Sequence, residues 1–159
     1  MSVTYKTIRE RKISVDKIRQ DNTNRIYKEA TELIEAYKHS LALDNESWTD
    51  AQGVAKPYVM AGIMSEYAFE QKMPSNIKLT SDYHLKFIIA TVIDDSPRGG
   101  DTVLVNVELF IDGNQMTARV EQGHQRHKDI YLFDDDKTEF CDAIKDSVLM
   151  TINNMTLRK

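Results

Sequence analysis

Thr102-Val103-Leu104-Val105-Asn106-Val107-Glu108-Leu109-Phe110-Ile111, followed by Asp112-Gly113-Asn114, is the stretch that decides the fold. Val103, Val105, Val107, Leu109 and Ile111 fall on one side of an extended chain, and Leu104, Asn106, Glu108 and Phe110 on the other. This period of two predicts a half-buried strand. Asp112-Gly113-Asn114 supplies residues that accept positive φ, so the strand turns back as a hairpin. Met116, Ala118 and Val120 continue inward on the return, and a further short strand is expected over 129–133. Upstream, 83–93 is rich in β-branched and aromatic residues and ends in the loop Asp94-Asp95-Ser96-Pro97-Arg98-Gly99-Gly100-Asp101. The reading is a four-stranded antiparallel meander.

The flanks read as helices. From Ser14 onward, Ile26, Ala30, Leu33, Tyr37 and Leu41 recur every three or four residues and share a face. A second helix is expected from Pro57 to about Lys72, with Met60, Ile63, Met64 and Tyr67 as its stripe and proline at its first position. The chain closes on an amphipathic helix through Phe140, Ile144, Val148, Ile152 and Met155, packed on the sheet. The fold class is therefore α+β. Residues 1–13 read as a basic arm or an edge strand, and 14–159 as one domain, containing no internal repeat.

Composition narrows the functions. A length of 159 residues suits one domain with a substantial core. The net charge of −4 and pI of about 5.6 lack the basic excess of a non-specific nucleic-acid binder. The longest apolar run, 87–93, is far too short for a membrane span. Cys141 is the only cysteine, and the first residues, MSVTYKTIRERK, have no apolar signal region. A cytoplasmic protein is the expectation.

Two loops attract attention. In a simple meander the Asp94–Asp101 loop and the Gln122–Lys128 loop return to the same end of the sheet. That end would hold Asp94, Asp95, Arg98 and Asp101 beside His124, Arg126 and His127. His124, His127 and Asp94 form a mixed N/O set suited to a divalent metal, and Arg98 beside two glycines suits a phosphate. The competing reading is two solvated loops of offsetting charge. Asp134-Asp135-Asp136 has the oxygens for Ca²⁺ or Mg²⁺, but acids at a helix start are explained by capping and the helix dipole. No nucleophile elbow, dinucleotide loop or P-loop sequence is present, and no catalytic residue is assigned.

Helix, three strands, helix is also an order of elements that resembles double-stranded-RNA-binding domains. Those domains grip phosphates with lysines at the start of the last helix. Here that position reads Asp134-Asp135-Asp136-Lys137, of the opposite sign, so no family match is drawn.

The remaining expectation is an interface. Leu104 and Phe110 sit on the strand face opposite the valines, and Met150 and Met155 late in the last helix. An uncovered apolar sheet or helix face marks a contact with a protein partner or a second copy. The function expected is thus a protein-interaction protein: an adaptor, inhibitor, chaperone-like or assembly factor, with the general appearance of phage or mobile-element accessory proteins. The alternatives are a metal-dependent hydrolase or nucleotide-binding protein working at the loops, and RNA binding through the basic N-terminal arm.

Overall fold

The computed structural model describes residues 2–43, 45–123, 125–133 and 136–155. Helix α1 (Tyr5–Ser40) comes first. Strands β1 (Ser47–Thr49), β2 (Ala55–Pro57), β3 (Val59–Met64) and β4 (Phe69–Gln71) follow. Next come β5 (Leu85–Val92), β6 (Thr102–Asp112), β7 (Gln115–Glu121) and β8 (His127–Tyr131), and α2 (Thr138–Met155) closes the chain. The main sheet is antiparallel, in the order β4-β3-β5-β6-β7-β8.

The α+β class and the closing helix stand as expected, with β5 to β8 forming a meander. Three finer expectations need correction. There is one N-terminal helix, not two, and it starts at Tyr5, so residues 5–13 are its first turns rather than an edge strand or a separate arm. Thr4 caps it by accepting from the Thr7 N–H, and Lys6–Glu10 and Lys12–Asp16 are spaced for ion pairs along it. No glycine or proline interrupts the sequence before Gly53. The alternation of Val3, Tyr5 and Thr7 joins neither edge of the main sheet, which are β4 and β8, because Tyr5 and Thr7 already belong to α1.

The expected helix over 57–72 is instead the hairpin β3–β4, which makes the sheet six-stranded rather than four-stranded. Val59, Ala61 and Ile63 pack on the core at period two, whereas Met64 and Tyr67 of the supposed helical stripe are exposed. Gly62 explains the hairpin's closeness. A Cβ there would run into the Glu70 carbonyl oxygen and the Phe69 ring. The connector around Trp48 holds the small hairpin β1–β2. Trp48 is buried against the loop before β6, where Gly100 (φ +106°) leaves room for the indole.

Both helices lie on one face of the sheet. Ile26, Ala30, Leu33 and Tyr37 of α1, and Phe140, Ile144 and Val148 of α2, share one core with the inward residues of β5, β6 and β7. Register sets those strand residues in rows: Phe87 opposite Val107 opposite Val120, and Leu85 opposite Leu109 opposite Ala118. The two helices run parallel. Lys137 at the start of α2 meets Glu29, and Lys145, two turns later, donates to the Ser40 carbonyl. α1 spans about 54 Å at 1.5 Å per residue, and its first half extends past the start of α2.

Candidate functional site

The face of the sheet away from the helices carries polar rows. Lys86, Glu108, Arg119 and Asp129 stand side by side across β5 to β8, alternating in sign. Arg119 reaches Asp129 with two nitrogens, at 2.8 and 3.2 Å, and Glu108 at 3.5 Å. The Arg119 hydrogen bonds hold the Asp129 carboxyl below its usual range, and Asp129 in turn raises the Arg119 guanidinium. Glu108 also meets His84 Nδ1 at 2.7 Å. The His84 ring stacks on Phe110 at 4.5 Å, and the Arg119 guanidinium lies 5.2 Å from the same ring. In the next row Asn106 donates to Glu121 at 2.8 Å. A cleft of about 600 Å³ lies over these rows, bounded by Met64, Ile88 and His127.

This arrangement answers what covers the second face. Ile88, Ala90, Phe110 and Thr117 are buried there without any helix, and Leu104 is half-buried. Phe110 is shut in by His84 and Arg119. The face is therefore polar at its centre, and its exposed apolar side chains, Met64 and Tyr131, stand on strands toward its two sides.

The loop residues singled out from sequence are spread out. β7 pairs with β6 only as far as Val107–Val120, while the Asp94–Asp101 loop enters β6 at Thr102. β7 ends at Glu121, level with Asn106, so four residues of extended chain, about 13 Å at 3.3 Å each, separate the levels at which the two loops leave the sheet. Unequal strand lengths, which a pattern of two does not reveal, undo the shared end. Asp94 accepts from the Ser96 hydroxyl and N–H, which lowers its pKa, and Asp95 accepts from the Tyr58 hydroxyl at 2.8 Å. Arg98, Asp101 and Arg126 are exposed. His127, on β8, lies 4.0 Å from Asp129. His124 falls outside the described residues, as do Asp134 and Asp135. Among the described residues no group of three or more His, Cys, Asp or Glu side chains is placed to hold a metal ion. Asp136 caps α2 by accepting from the Thr138 N–H at 3.0 Å, which lowers its pKa. Cys141 is buried, and burial pushes its thiol up.

The largest uncovered element is the first half of α1. Every residue from 2 to 21 is exposed apart from half-buried Val15. Tyr5, Ile8, Ile13 and Ile18 are each more than half exposed, at 79%, 58%, 57% and 52%. Burial on the body begins only at Ile26, with Arg19 reaching the Tyr83 ring at 5.5 Å. Residues 5–21 carry six Lys or Arg against three Asp or Glu in a chain that is acidic overall. Sequence reasoning treated the basic residues as an arm but missed that it is helical. The available signal was Ile8, which extends the helical spacing of Val15 and Ile18 upstream of Ser14. A second exposed apolar group closes α2: Leu149 (57%), Met150 (38%) and Met155 (45%).

Comparison with protein-family models, with curated proteins and with solved structures finds no match to this chain. No helix among the described residues is long and apolar enough to cross a membrane.

Proposed function

We propose that this is a protein-interaction protein whose contact element is the projecting first half of α1. The observation that carries the reading is the exposure of Tyr5, Ile8, Ile13 and Ile18 on a stretch of α1 that touches little of its own domain. Helices in proteins owe most of their stability to packing an apolar face. This segment also contains Thr7, Ile8, Ile13, Val15 and Ile18, β-branched residues that stiffen at χ1 and lower helix propensity. A helix so composed gains from being covered, and exposed apolar groups of this kind mark contact sites. The rigid body of sheet and helices then serves to present it.

The test is site-specific photo-cross-linking in producing cells, with the photoreactive residue at Ile8 or Ile13 and, as controls, at exposed Lys86 and Asp112 on the sheet. A discrete protein adduct from the α1 positions and none from the controls is the expected result. Absence of any adduct from both α1 positions overturns the reading. An adduct to RNA in place of protein, with salt-sensitive affinity, would also overturn it, in favour of phosphate contacts by the arm's cations.

A further inference from the structure

Building on the reading of α1 as the contact element, we infer that its occupant is a second copy of this chain: the projecting half of α1 packs antiparallel on the acidic outer face of α2 of the other copy. Failure of this inference is separable from failure of that reading, as the test below provides.

Three observations converge on it. The first is the bare side of α1. Ile8, Val15 and Asn22 precede Glu29 by whole heptads, so all four lie along one side of the helix. From Glu29 to Ser40 that side meets the chain's own α2, through Lys137 and Lys145. Below Asn22 the same side is uncovered, and Ile8, Val15 and Ile18 line it with Arg11 and Lys12 between them. The helix has a place for a second α2 just beyond the first.

The second observation is charge. Glu139, Asp142 and Asp146 are all exposed and follow one another at three- and four-residue steps, so they share the outer face of α2. The only cation within α2 is Lys145, which is turned to the Ser40 carbonyl. Lys128 meets Glu139 from β8 at 3.5 Å, and among the described residues no salt bridge reaches Asp142 or Asp146. A basic helix face and an acidic one are complementary, which favours and orients association.

The third observation is the order of side chains along each helix. The outer face of α2 is acidic first and apolar last, through Leu149 and Met150. On this side of the projecting part of α1, Tyr5 and Ile8 come first and the cations Arg11, Lys12 and Arg19 follow, interleaved with Val15 and Ile18; Lys12 also meets Asp16 of its own helix at 2.6 Å. Antiparallel pairing sets Ile8 by Met150, Lys12 by Asp146 and Arg19 by Glu139, with Asp142 level with Asp16 and about a turn from Arg11, Lys12 and Arg19; parallel pairing sets Ile8 among the acids. The lengths agree: residues 5–21 span about 26 Å and the eighteen-residue α2 about 27 Å. Because α1 and α2 run parallel within a chain, a two-fold axis across the helices makes the contact twice, each copy supplying one arm and one α2.

The experiment uses the full chain and two charge-reversed variants, Arg11→Glu with Lys12→Glu and Asp142→Lys with Asp146→Lys, all at exposed positions. Light scattering should give a dimer for the unaltered chain. Each variant alone should dimerise at least about tenfold more weakly, and an equimolar mixture of the two should restore the dimer, since both contacts then join opposite charges. Cross-links from Ile8 should join it to α2 peptides of a second copy. A monomeric unaltered chain, a dimer indifferent to both reversals, or a mixture that stays monomeric overturns the inference. If the chain is monomeric while Ile8 cross-links to a different protein, the second copy is wrong and α1 remains the contact element. If it is monomeric and Ile8 cross-links to nothing, both fall.

Discussion

Lys137 donates to Glu29 at 3.0 Å across the junction of α1 and α2, with side chains only 13% and 17% exposed. This pair, joined by Glu32 at 3.7 Å, fixes where the second helix begins against the first. Removing the lysine alone leaves a carboxylate mostly out of water, so Lys137→Ala should cost about 1.5–3 kcal/mol in denaturant unfolding. Lys137→Met with Glu29→Met should cost less than the sum of the single changes, because no charge is then stranded. An additive double-mutant cycle would show that the two residues do not act as a pair.

Tyr37 and Thr91 share a hydrogen bond of 2.8 Å inside the helix–sheet core. Burial is the main cause that raises the Tyr37 hydroxyl above its usual pKa. Tyr37→Phe should lower stability by about 1–2 kcal/mol, since Thr91 loses its partner where water does not reach. Adding Thr91→Val should recover part of that loss, measured as the midpoint of thermal unfolding.

Gly62 and Gly53 should respond differently to alanine. At Gly62 the new Cβ meets the Glu70 backbone, so neither strand of the β3–β4 hairpin can yield without breaking register. Gly62→Ala should cost about 3 kcal/mol or more. At Gly53 the space is open and only the positive φ of 78° resists, so Gly53→Ala should cost about 1 kcal/mol. Equal losses at the two sites would contradict this packing.

Much of the fold was legible because its signals are local. Val103 to Ile111 alternates over a long strand, Asp112-Gly113-Asn114 marks its turn, and Phe140 to Val148 keeps helical spacing. The errors arose where short segments satisfy two periods at once. Met60, Ile63 and Met64 fit a helix, whereas Val59, Ala61 and Ile63 fit a strand, and only the neighbouring β5 decides between them. The expected meeting of the Asp94 and His127 loops assumed strands of equal length, which pairing across β6 and β7 does not supply. Residues 5–13 were hidden by their own exposure: without a buried face, their helical character rests on the continuity of α1 with its anchored half. Phe110 was correctly placed on the second face, but the closing of that face by His84 and Arg119 depends on cross-strand register, which is not local.

Up to Lys17 the projecting part of α1 buries little of the domain, so shortening it there should leave the body intact. Deleting residues 2–17, which keeps Arg19 beside Tyr83, should move the unfolding midpoint by no more than about 2 °C in the monomeric state. A larger drop at high dilution would mean that these turns support the core.

Acid sensitivity should follow the depressed carboxylates. Asp129 is lowered chiefly by the Arg119 side chain, Asp50 by the Val54 N–H, Asp94 by the Ser96 hydroxyl and Asp136 by the Thr138 N–H, each from the usual 3.8. A folded pKa below the unfolded one means that the native state binds fewer protons. Each contribution is therefore complete above 3.8 and is lost as pH falls through the lower, folded value. The unfolding midpoint should stay level from neutrality down to the ordinary carboxylate range and then fall. Arg119→Ala should cost about 1 kcal/mol at neutral pH, as expected of a partly exposed ion-pair network. It should also return the Asp129 carboxyl toward its ordinary titration, read residue by residue from carboxyl NMR shifts, and make the acid limb shallower. An Asp129 titration unmoved by Arg119→Ala would show that the ladder of Lys86, Glu108, Arg119 and Asp129 is geometry without energetic coupling.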